Sequence, residues 1–237
     1  MLVPKQHGAW AMLIIPFLLG AYAGGLSWLH IPLFLGWLGL YLATYPFLMA
    51  VKTKRKREYM RWFYRYFFVA LAMLLIPLVF QWRLVYFGIA MVPFFFINLY
   101  FAKKKDERAL ANDVAAIASF CIGGLASFYI VRGTLTAQAW ELYLFCFLFF
   151  IGSTFYVKTM IREKKSSLYK WTSWAYHLLL IVILMMTGYS WFALAYVPSA
   201  VRAIYLYGKS VSATKVGVLE IANAVYFGIT MLVLLTW

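Results

Sequence analysis

Nine long apolar runs, separated by short polar segments, limit what this chain can fold into. Each run is close to the roughly 20 residues that an α-helix needs to cross the hydrocarbon of a membrane. Because 65% of the 237 residues are hydrophobic and only 12% are charged, a soluble domain could not bury so much apolar surface. The runs also lack the alternation of a membrane β-barrel. We predict an all-α, polytopic membrane helix bundle.

The eighth of these runs is the span that an eight-helix alternative omits, because it is rich in tyrosine and contains Pro198 and Arg202. An eight-helix alternative without it therefore stays open. No linker or low-complexity segment divides the chain, so we predict one transmembrane domain over residues 1–237. The predicted spans are 9–29, 31–51, 62–80, 84–102, 110–131, 138–157, 171–188, 190–207 and 216–237.

Basic residues gather on one side of the predicted bundle. Of the 22 Lys and Arg residues, 20 lie at the N-terminus or in and beside the loops after even-numbered spans, counting Arg65 and Arg202 within the adjoining spans, and only Arg83 and Arg132 lie on the other side. Since cytoplasmic loops retain Lys and Arg, we predict a cytoplasmic N-terminus and, after nine crossings, Trp237 outside. These charges attract anionic lipid headgroups, whereas their division into short clusters argues against nucleic acid as a partner.

A few polar or small residues inside the apolar runs constrain how the helices pack. Arg202 and Glu220 lie at similar depth in the last two spans, where charges are costly and are expected to pair. The pair either joins two helices or belongs to a functional site. Small residues spaced by four predict close helix contacts, at Gly20 with Gly24 and at Ser119 with Gly123.

Polar residues are also concentrated where the fourth span ends and the fifth begins. Asn and Asp at a helix start are typical of N-capping. The other interpretation is a polar rim on a cytoplasm-facing cavity, where lysines bind phosphate. The residues concerned are Asn98, Tyr100, Lys103, Lys104, Asn112 and Asp113.

The ends of spans two and six have similar sequences. Val51-Lys52-Thr53 is followed by Glu58, and Val157-Lys158-Thr159 is followed by Arg162 and Glu163. The match arises either by chance in basic loops or from a repeated half-structure. Near the N-terminus, His7 lies at headgroup depth, either in an interfacial anchor or at a substrate site.

The segment Pro4 to Trp10, followed by Ala11 to Pro16, resembles the YwiC-like family of bacterial membrane proteins. That resemblance extends over the whole chain and implies a location in the bacterial plasma membrane. More distantly, the nine-helix plan resembles the UbiA superfamily of intramembrane prenyltransferases. In that superfamily, acidic motifs after helices two and six bind Mg²⁺ and the diphosphate of an isoprenoid donor. The two Val-Lys-Thr segments lie at those places, and Asn98 to Lys104 resembles the end of helix four.

The UbiA resemblance implies a ligand, a cofactor and a set of site residues. We expect an isoprenoid or polyprenyl phosphate to bind at a cytoplasm-facing cavity, and the resemblance implies Mg²⁺ as cofactor. This chain has one acid in each loop where the superfamily has several aspartates, so catalysis of prenyl transfer stays open. The alternative is a small transporter or an accessory factor of a membrane complex. The candidate binding residues are His7, Lys52, Asn98, Tyr100, Lys103, Lys104, Asn112, Lys158 and Arg162, and the candidate catalytic acids are Glu58, Asp113 and Glu163.

Overall fold

A computed structural model of the chain describes residues 2–4, 7–54 and 56–235, with the side chain of His7 outside that description. The described residues contain nine α-helices and no strand, which confirms the predicted all-α class. Seven of them, α2 to α7 and α9, are long and apolar enough to cross a membrane. The helices are α1 (His7–Gly24), α2 (His30–Lys52), α3 (Lys56–Phe80), α4 (Val85–Lys103), α5 (Leu110–Arg132), α6 (Ala137–Ile161), α7 (Ser167–Met186), α8 (Val197–Tyr205) and α9 (Ala213–Leu234).

The packing divides the chain into two compact units. Unit 1 comprises Met1–Gln6 and Pro16–Leu144, and unit 2 comprises His7–Ile15 and Phe145–Trp237. Helices α1 and α6 therefore contribute residues to both units. That the whole chain forms one transmembrane domain stays a prediction.

Close helix contacts at glycine hold unit 1 together. A Cβ built on Gly24 of α1 would lie 2.6 Å from the backbone oxygen of Phe128 in α5, and one on Gly20 would overlap the carbonyl of Gly124. Helix association in lipid depends on such packing, because the lipid tails are as apolar as the side chains. The predicted contact through Gly20 and Gly24 is confirmed. The structure contains a second close helix contact, in which Gly39 of α2 lies against Ala70 of α3.

A buried histidine connects α2 to α5 in the same unit. The Nε2 atom of His30 lies 2.9 Å from the carbonyl oxygen of Ser127, and its Nδ1 lies 3.1 Å from the backbone nitrogen of Ser27. Because a carbonyl only accepts, Nε2 carries the hydrogen and Nδ1 accepts from the Ser27 N–H. Both ring nitrogens of His30 are thus hydrogen-bonded.

The eighth span differs from the continuous helix predicted over 190–207. A 3-10 turn at Phe192–Ala195 precedes α8, which has only nine residues. At 1.5 Å per residue, α8 rises about 13 Å, less than half of the hydrocarbon thickness. Pro198 lies in the first turn of α8, where the missing N–H is tolerated but a helix cannot continue from the preceding residues.

Residues 194–202 nevertheless run antiparallel to α9 within unit 2. Three successive side-chain contacts connect the two segments, and the residue numbers rise on one side as they fall on the other. The interrupted segment therefore lies alongside α9 as a predicted pass would. The contacts are Tyr226 to the Leu194 carbonyl (3.3 Å), Asn223 to Ser199 (2.9 Å) and the Arg202–Glu220 ion pair.

The orientation of the chain is a prediction that reporter fusions test. We expect a reporter that is active only in the cytoplasm to give no signal after residue 237, because nine passes place that end outside. The same reporter inserted after Lys165, in a basic loop, is the positive control. Cytoplasmic signal from the C-terminal fusion would contradict nine passes and favour eight.

Candidate functional site

A hydrogen-bonded network connects α2, α4 and α5 of unit 1 at the end where their basic residues lie. Lys52, the last residue of α2, forms an ion pair with Glu107 in the loop between α4 and α5. The Asn112 amide donates to the Glu107 carbonyl oxygen at 2.7 Å. The Asn98 amide donates to the side-chain oxygen of Asn112 at 2.8 Å and to its carbonyl oxygen at 3.0 Å. We call these four residues the basic-end network.

The basic-end network excludes one of the two interpretations of Asn112. The N-cap of α5 is Ala109, which makes no side-chain capping bond. N-capping by Asn112 is therefore wrong, because its side chain instead bridges α4 and the preceding loop. Asp113 lies in the first turn of α5, where a negative charge interacts favourably with the helix dipole.

Two exposed lysines follow Asn98 of the basic-end network on α4. Lys103 and Lys104 are exposed at the C-terminal end of α4, one helical turn beyond Asn98 and Tyr100. The Lys104 ammonium lies 4.5 Å from the centre of the Tyr100 ring. Compact ammonium groups on flexible stems bind phosphate as point charges. This end of unit 1 therefore presents cations that a phosphate could reach, next to amides that hydrogen bonds hold in place.

An apolar cavity of about 330 Å³ lies farther along the same helices. Its volume is at the lower end of the range for small-molecule sites, roughly 300–1,000 Å³. On α2, twelve residues separate Leu40 in the lining from Lys52, a rise of about 18 Å. Side chains of α1 to α5 line it, among them Phe17, Trp37, Leu40, Leu74, Met91 and Ala126.

Aromatic side chains occupy the helices between the apolar cavity and the basic end. The Phe47 ring of α2 lies 5.3 Å from Phe63 of α3 and 5.6 Å from Phe95 of α4. Phe47 comes between Leu40 and Lys52 on α2, and Phe95 comes between Met91 and Asn98 on α4. A cluster of packed aromatic rings, none of which lines the cavity, therefore lies between the cavity and the charged end of unit 1.

Unit 2 contains the predicted Arg202–Glu220 ion pair, which the structure confirms. Both residues are only 8% exposed. Arg202 also donates from Nη2 to the Ser153 hydroxyl at 3.2 Å, and its guanidinium lies 4.4 Å from the centre of the Tyr156 ring. Sequence reasoning missed Ser153 and Tyr156, because neutral residues on α6 carry no charge that would mark them as partners.

The remaining candidate residues are distributed between the two units. In unit 1, Glu58 is exposed in the first turn of α3. In unit 2, Lys158 is buried near the end of α6, Arg162 is exposed and Glu163 is half-buried. That the two basic loops form one paired site stays a prediction. The side chain of His7 lies outside the described residues.

The acids do not provide the metal site that the UbiA resemblance implies. No group of three or more His, Cys, Asp or Glu side chains that could hold a metal ion occurs within residues 2–4, 7–54 and 56–235. Mg²⁺ favours carboxylate oxygens in near-octahedral geometry. The described donors therefore do not fit a resident Mg²⁺ ion.

Comparison with known proteins places the chain in a family. A model described as YwiC-like protein matches residues 3–128, a range that includes the basic-end network and the apolar cavity. The chain belongs to the YwiC-like family. It is 47% identical to the Bacillus subtilis protein YwiC, described as uncharacterised, over 99% of this chain and 98% of that protein.

A second relative comes from Haemophilus influenzae and is also described as uncharacterised. It is 42% identical over 98% of each chain. No solved structure matches the chain significantly. The family match therefore gives this multi-pass helical bundle a family and bacterial relatives, but not an activity.

Proposed function

We propose that this membrane protein binds an isoprenoid or polyprenyl phosphate in unit 1. The phosphate lies at the basic end and the isoprenoid chain extends along the helices into the apolar cavity. The protein lies in the bacterial plasma membrane, and its basic loops face the cytoplasm. The observation that carries the proposal is the apolar cavity on the same helices that end in the basic-end network.

Charge complementarity supports a phosphorylated headgroup at the basic end. Lys103 and Lys104 are exposed there, whereas Lys52 is held by Glu107. We assign Lys103 and Lys104 to direct phosphate contact, and Lys52, Asn98 and Asn112 to holding the helix ends in position. Tyr100 orients Lys104 through its ring.

The apolar lining supports an isoprenoid tail. A chain that reaches from Lys52 to the cavity must cover about 18 Å, which is the rise of the intervening part of α2. The rings of Phe47, Phe63 and Phe95 lie along that distance. Prenyl groups are apolar, so their burial against these large aromatic side chains is favourable.

The acids enter this proposal only as candidates for chemistry. Glu58 and Asp113 lie in unit 1 and Glu163 in unit 2, and none of them belongs to a group of three or more metal-binding side chains within the described residues. Prenyl transfer needs help for the departing diphosphate, which several grouped carboxylates and their metal ions would supply. Binding without transfer is therefore the form of the function that these residues support best.

Binding of a defined prenyl phosphate tests the proposal. The purified full-length protein is mixed with geranylgeranyl phosphate, and native mass spectrometry measures the occupied fraction. We expect Lys103→Ala with Lys104→Ala to weaken binding about tenfold, because each exposed charge-assisted contact contributes about 0.7 kcal/mol. Lys164→Ala with Lys165→Ala is the matched control, since it removes two exposed lysines from a loop of unit 2. Equal losses in both double variants would contradict a specific phosphate site.

The tail is tested at the cavity. Gly88 lines the cavity, and a Cβ built on it meets no atom within 4 Å. Gly88→Phe should therefore lower binding while the protein keeps its fold, and Gly88→Ala should change it little. Unchanged binding by Gly88→Phe would place the tail elsewhere.

Transport of a small solute is the second candidate function. The observation that favours it is the interrupted eighth span beside the Arg202–Glu220 pair, since discontinuous helices line the substrate sites of many transporters. Two results together would favour transport over lipid binding. The first is that the protein binds prenyl phosphate without specificity. The second is that it dissipates a proton gradient in proteoliposomes in a way that depends on Glu220.

A further inference from the structure

Unit 2 contains a group of buried polar atoms without hydrogen-bond partners. Within the part of the chain that the structure describes, five such atoms belong to this unit, and their residues are 1% to 8% exposed. More than nine in ten buried polar groups in proteins are hydrogen-bonded, to other protein groups or to ordered water. The five atoms are Arg202 Nε, Tyr156 Oη, Asn223 Oδ1, Ser173 Oγ and His177 Nε2.

These atoms belong to four helices, α6 to α9, and those of Arg202 and Tyr156 lie at the Arg202–Glu220 pair itself. Tyr156 of α6 lies under the Arg202 guanidinium, and Ser153 of the same helix accepts a hydrogen bond from Arg202. His177 of α7 approaches α6 beside Ser153, because a Cβ built on the neighbouring Gly152 would lie 3.1 Å from the His177 Nε2 atom. Asn223 of α9 lies one turn beyond Glu220.

The unpartnered atoms include both hydrogen-bond donors and acceptors. Arg202 Nε carries a hydrogen and can only donate, whereas Asn223 Oδ1 can only accept. His177 Nδ1 donates to the Ser173 carbonyl oxygen at 2.7 Å, so Nε2 has a lone pair and also accepts. An anion would serve only the donors and a cation only the acceptors. Water serves both.

We propose that unit 2 holds a hydrated site around the Arg202–Glu220 pair, where internal water molecules bind Arg202 Nε, Tyr156 Oη, Asn223 Oδ1 and His177 Nε2. Buried waters in proteins make about three hydrogen bonds to groups of this kind. The interrupted segment beside the pair fits this assignment, because non-helical backbone at membrane depth is tolerated when it is buried in protein or lines a water-filled cavity. The site is distinct from the lipid site proposed in unit 1.

Histidine NMR tests the hydrated site with an internal control. The chain has three histidines, so ¹⁵N-histidine labelling of the full-length protein in bilayers gives three ring systems, and His7→Gln removes one. We expect His177 to be the Nδ1–H tautomer with magnetisation transfer from water to Nε2. His30 is the control, since it is also buried, at 8% exposed compared with 3% for His177, but both its ring nitrogens have protein partners. Transfer to His177 as slow as that to His30 would overturn the proposal.

Variants show whether the water belongs to the ion-pair site. Tyr156→Phe keeps the ring and removes one water-binding hydroxyl. We expect it to reduce magnetisation transfer from water to His177 about twofold, because each buried water needs about 2–4 polar partners. Arg202→Met with Glu220→Leu should abolish the transfer. If the double variant folds and transfers as the wild type does, the water is not held by the ion pair and the proposal fails.

Discussion

Replacing Glu220 by Gln should lower the free energy of unfolding by about 3–5 kcal/mol, because Arg202 is then left buried without its counter-charge. Replacing both residues, as Arg202→Met with Glu220→Leu, should cost much less, since no uncompensated charge remains inside the helices. The thermal midpoint of the purified protein in detergent, measured for Arg202→Met, for Glu220→Leu and for the two combined, completes a double-mutant cycle.

The ion pair at the basic end of unit 1 is the matched control for that cycle. Lys52 and Glu107 have side chains that are 15% and 38% exposed, compared with 9% and 10% for Arg202 and Glu220. Solvent reaches the first pair, so Glu107→Gln should cost no more than about 1 kcal/mol. Equal losses in the two pairs, or a double variant less stable than both singles, would contradict the buried pair described here.

Adding one methyl group at Gly20 should destabilise the protein by about 1–3 kcal/mol or more, because its Cβ would overlap the Gly124 carbonyl of α5. The obstacle is backbone, which cannot rotate away as a side chain can. The same change at Gly8, in the same helix, meets no atom within 4 Å. Gly8→Ala should therefore be neutral or stabilise the protein by up to about 1 kcal/mol, the helix propensity difference between Gly and Ala.

Thermal unfolding of Gly20→Ala and Gly8→Ala separates the steric effect from the effect of helix propensity. Unfolding is monitored as the loss of monodisperse protein on a sizing column. A similar midpoint for both variants would show that α1 does not approach α5 closely. A lower midpoint for Gly20→Ala than for Gly8→Ala is the expected result.

The sequence predicted a contact well where the residues concerned had few possible partners. Arg202 and Glu220 are isolated charges in apolar runs, so the free-energy cost of an unpaired charge inside the membrane was enough to predict that they pair. Gly20 and Gly24 form a regular small-residue spacing that α5 contacts directly. The predicted grouping of Asn98 with Asn112 is likewise confirmed by direct hydrogen bonds.

Features that depend on choosing among many equivalent residues were not predictable. Lys52 has several acids within reach of its loop, and only the packing of α2 against the end of α4 selects Glu107. The apolar cavity results from how side chains of several helices fill the space between them, which apolar periodicity does not encode. The interruption in the eighth span had a local signal in Pro198, but hydropathy alone continued the helix through it.

The lipid retained by the wild-type protein tests the central claim most directly. The full-length protein is incubated with equal amounts of geranylgeranyl phosphate, geranylgeraniol and phosphatidylglycerol, and native mass spectrometry identifies what remains bound. The proposed site predicts one geranylgeranyl phosphate per chain, since only that lipid offers both the prenyl tail and the phosphate. Equal retention of geranylgeraniol would contradict the phosphate site, and preferential retention of phosphatidylglycerol would contradict an isoprenoid ligand.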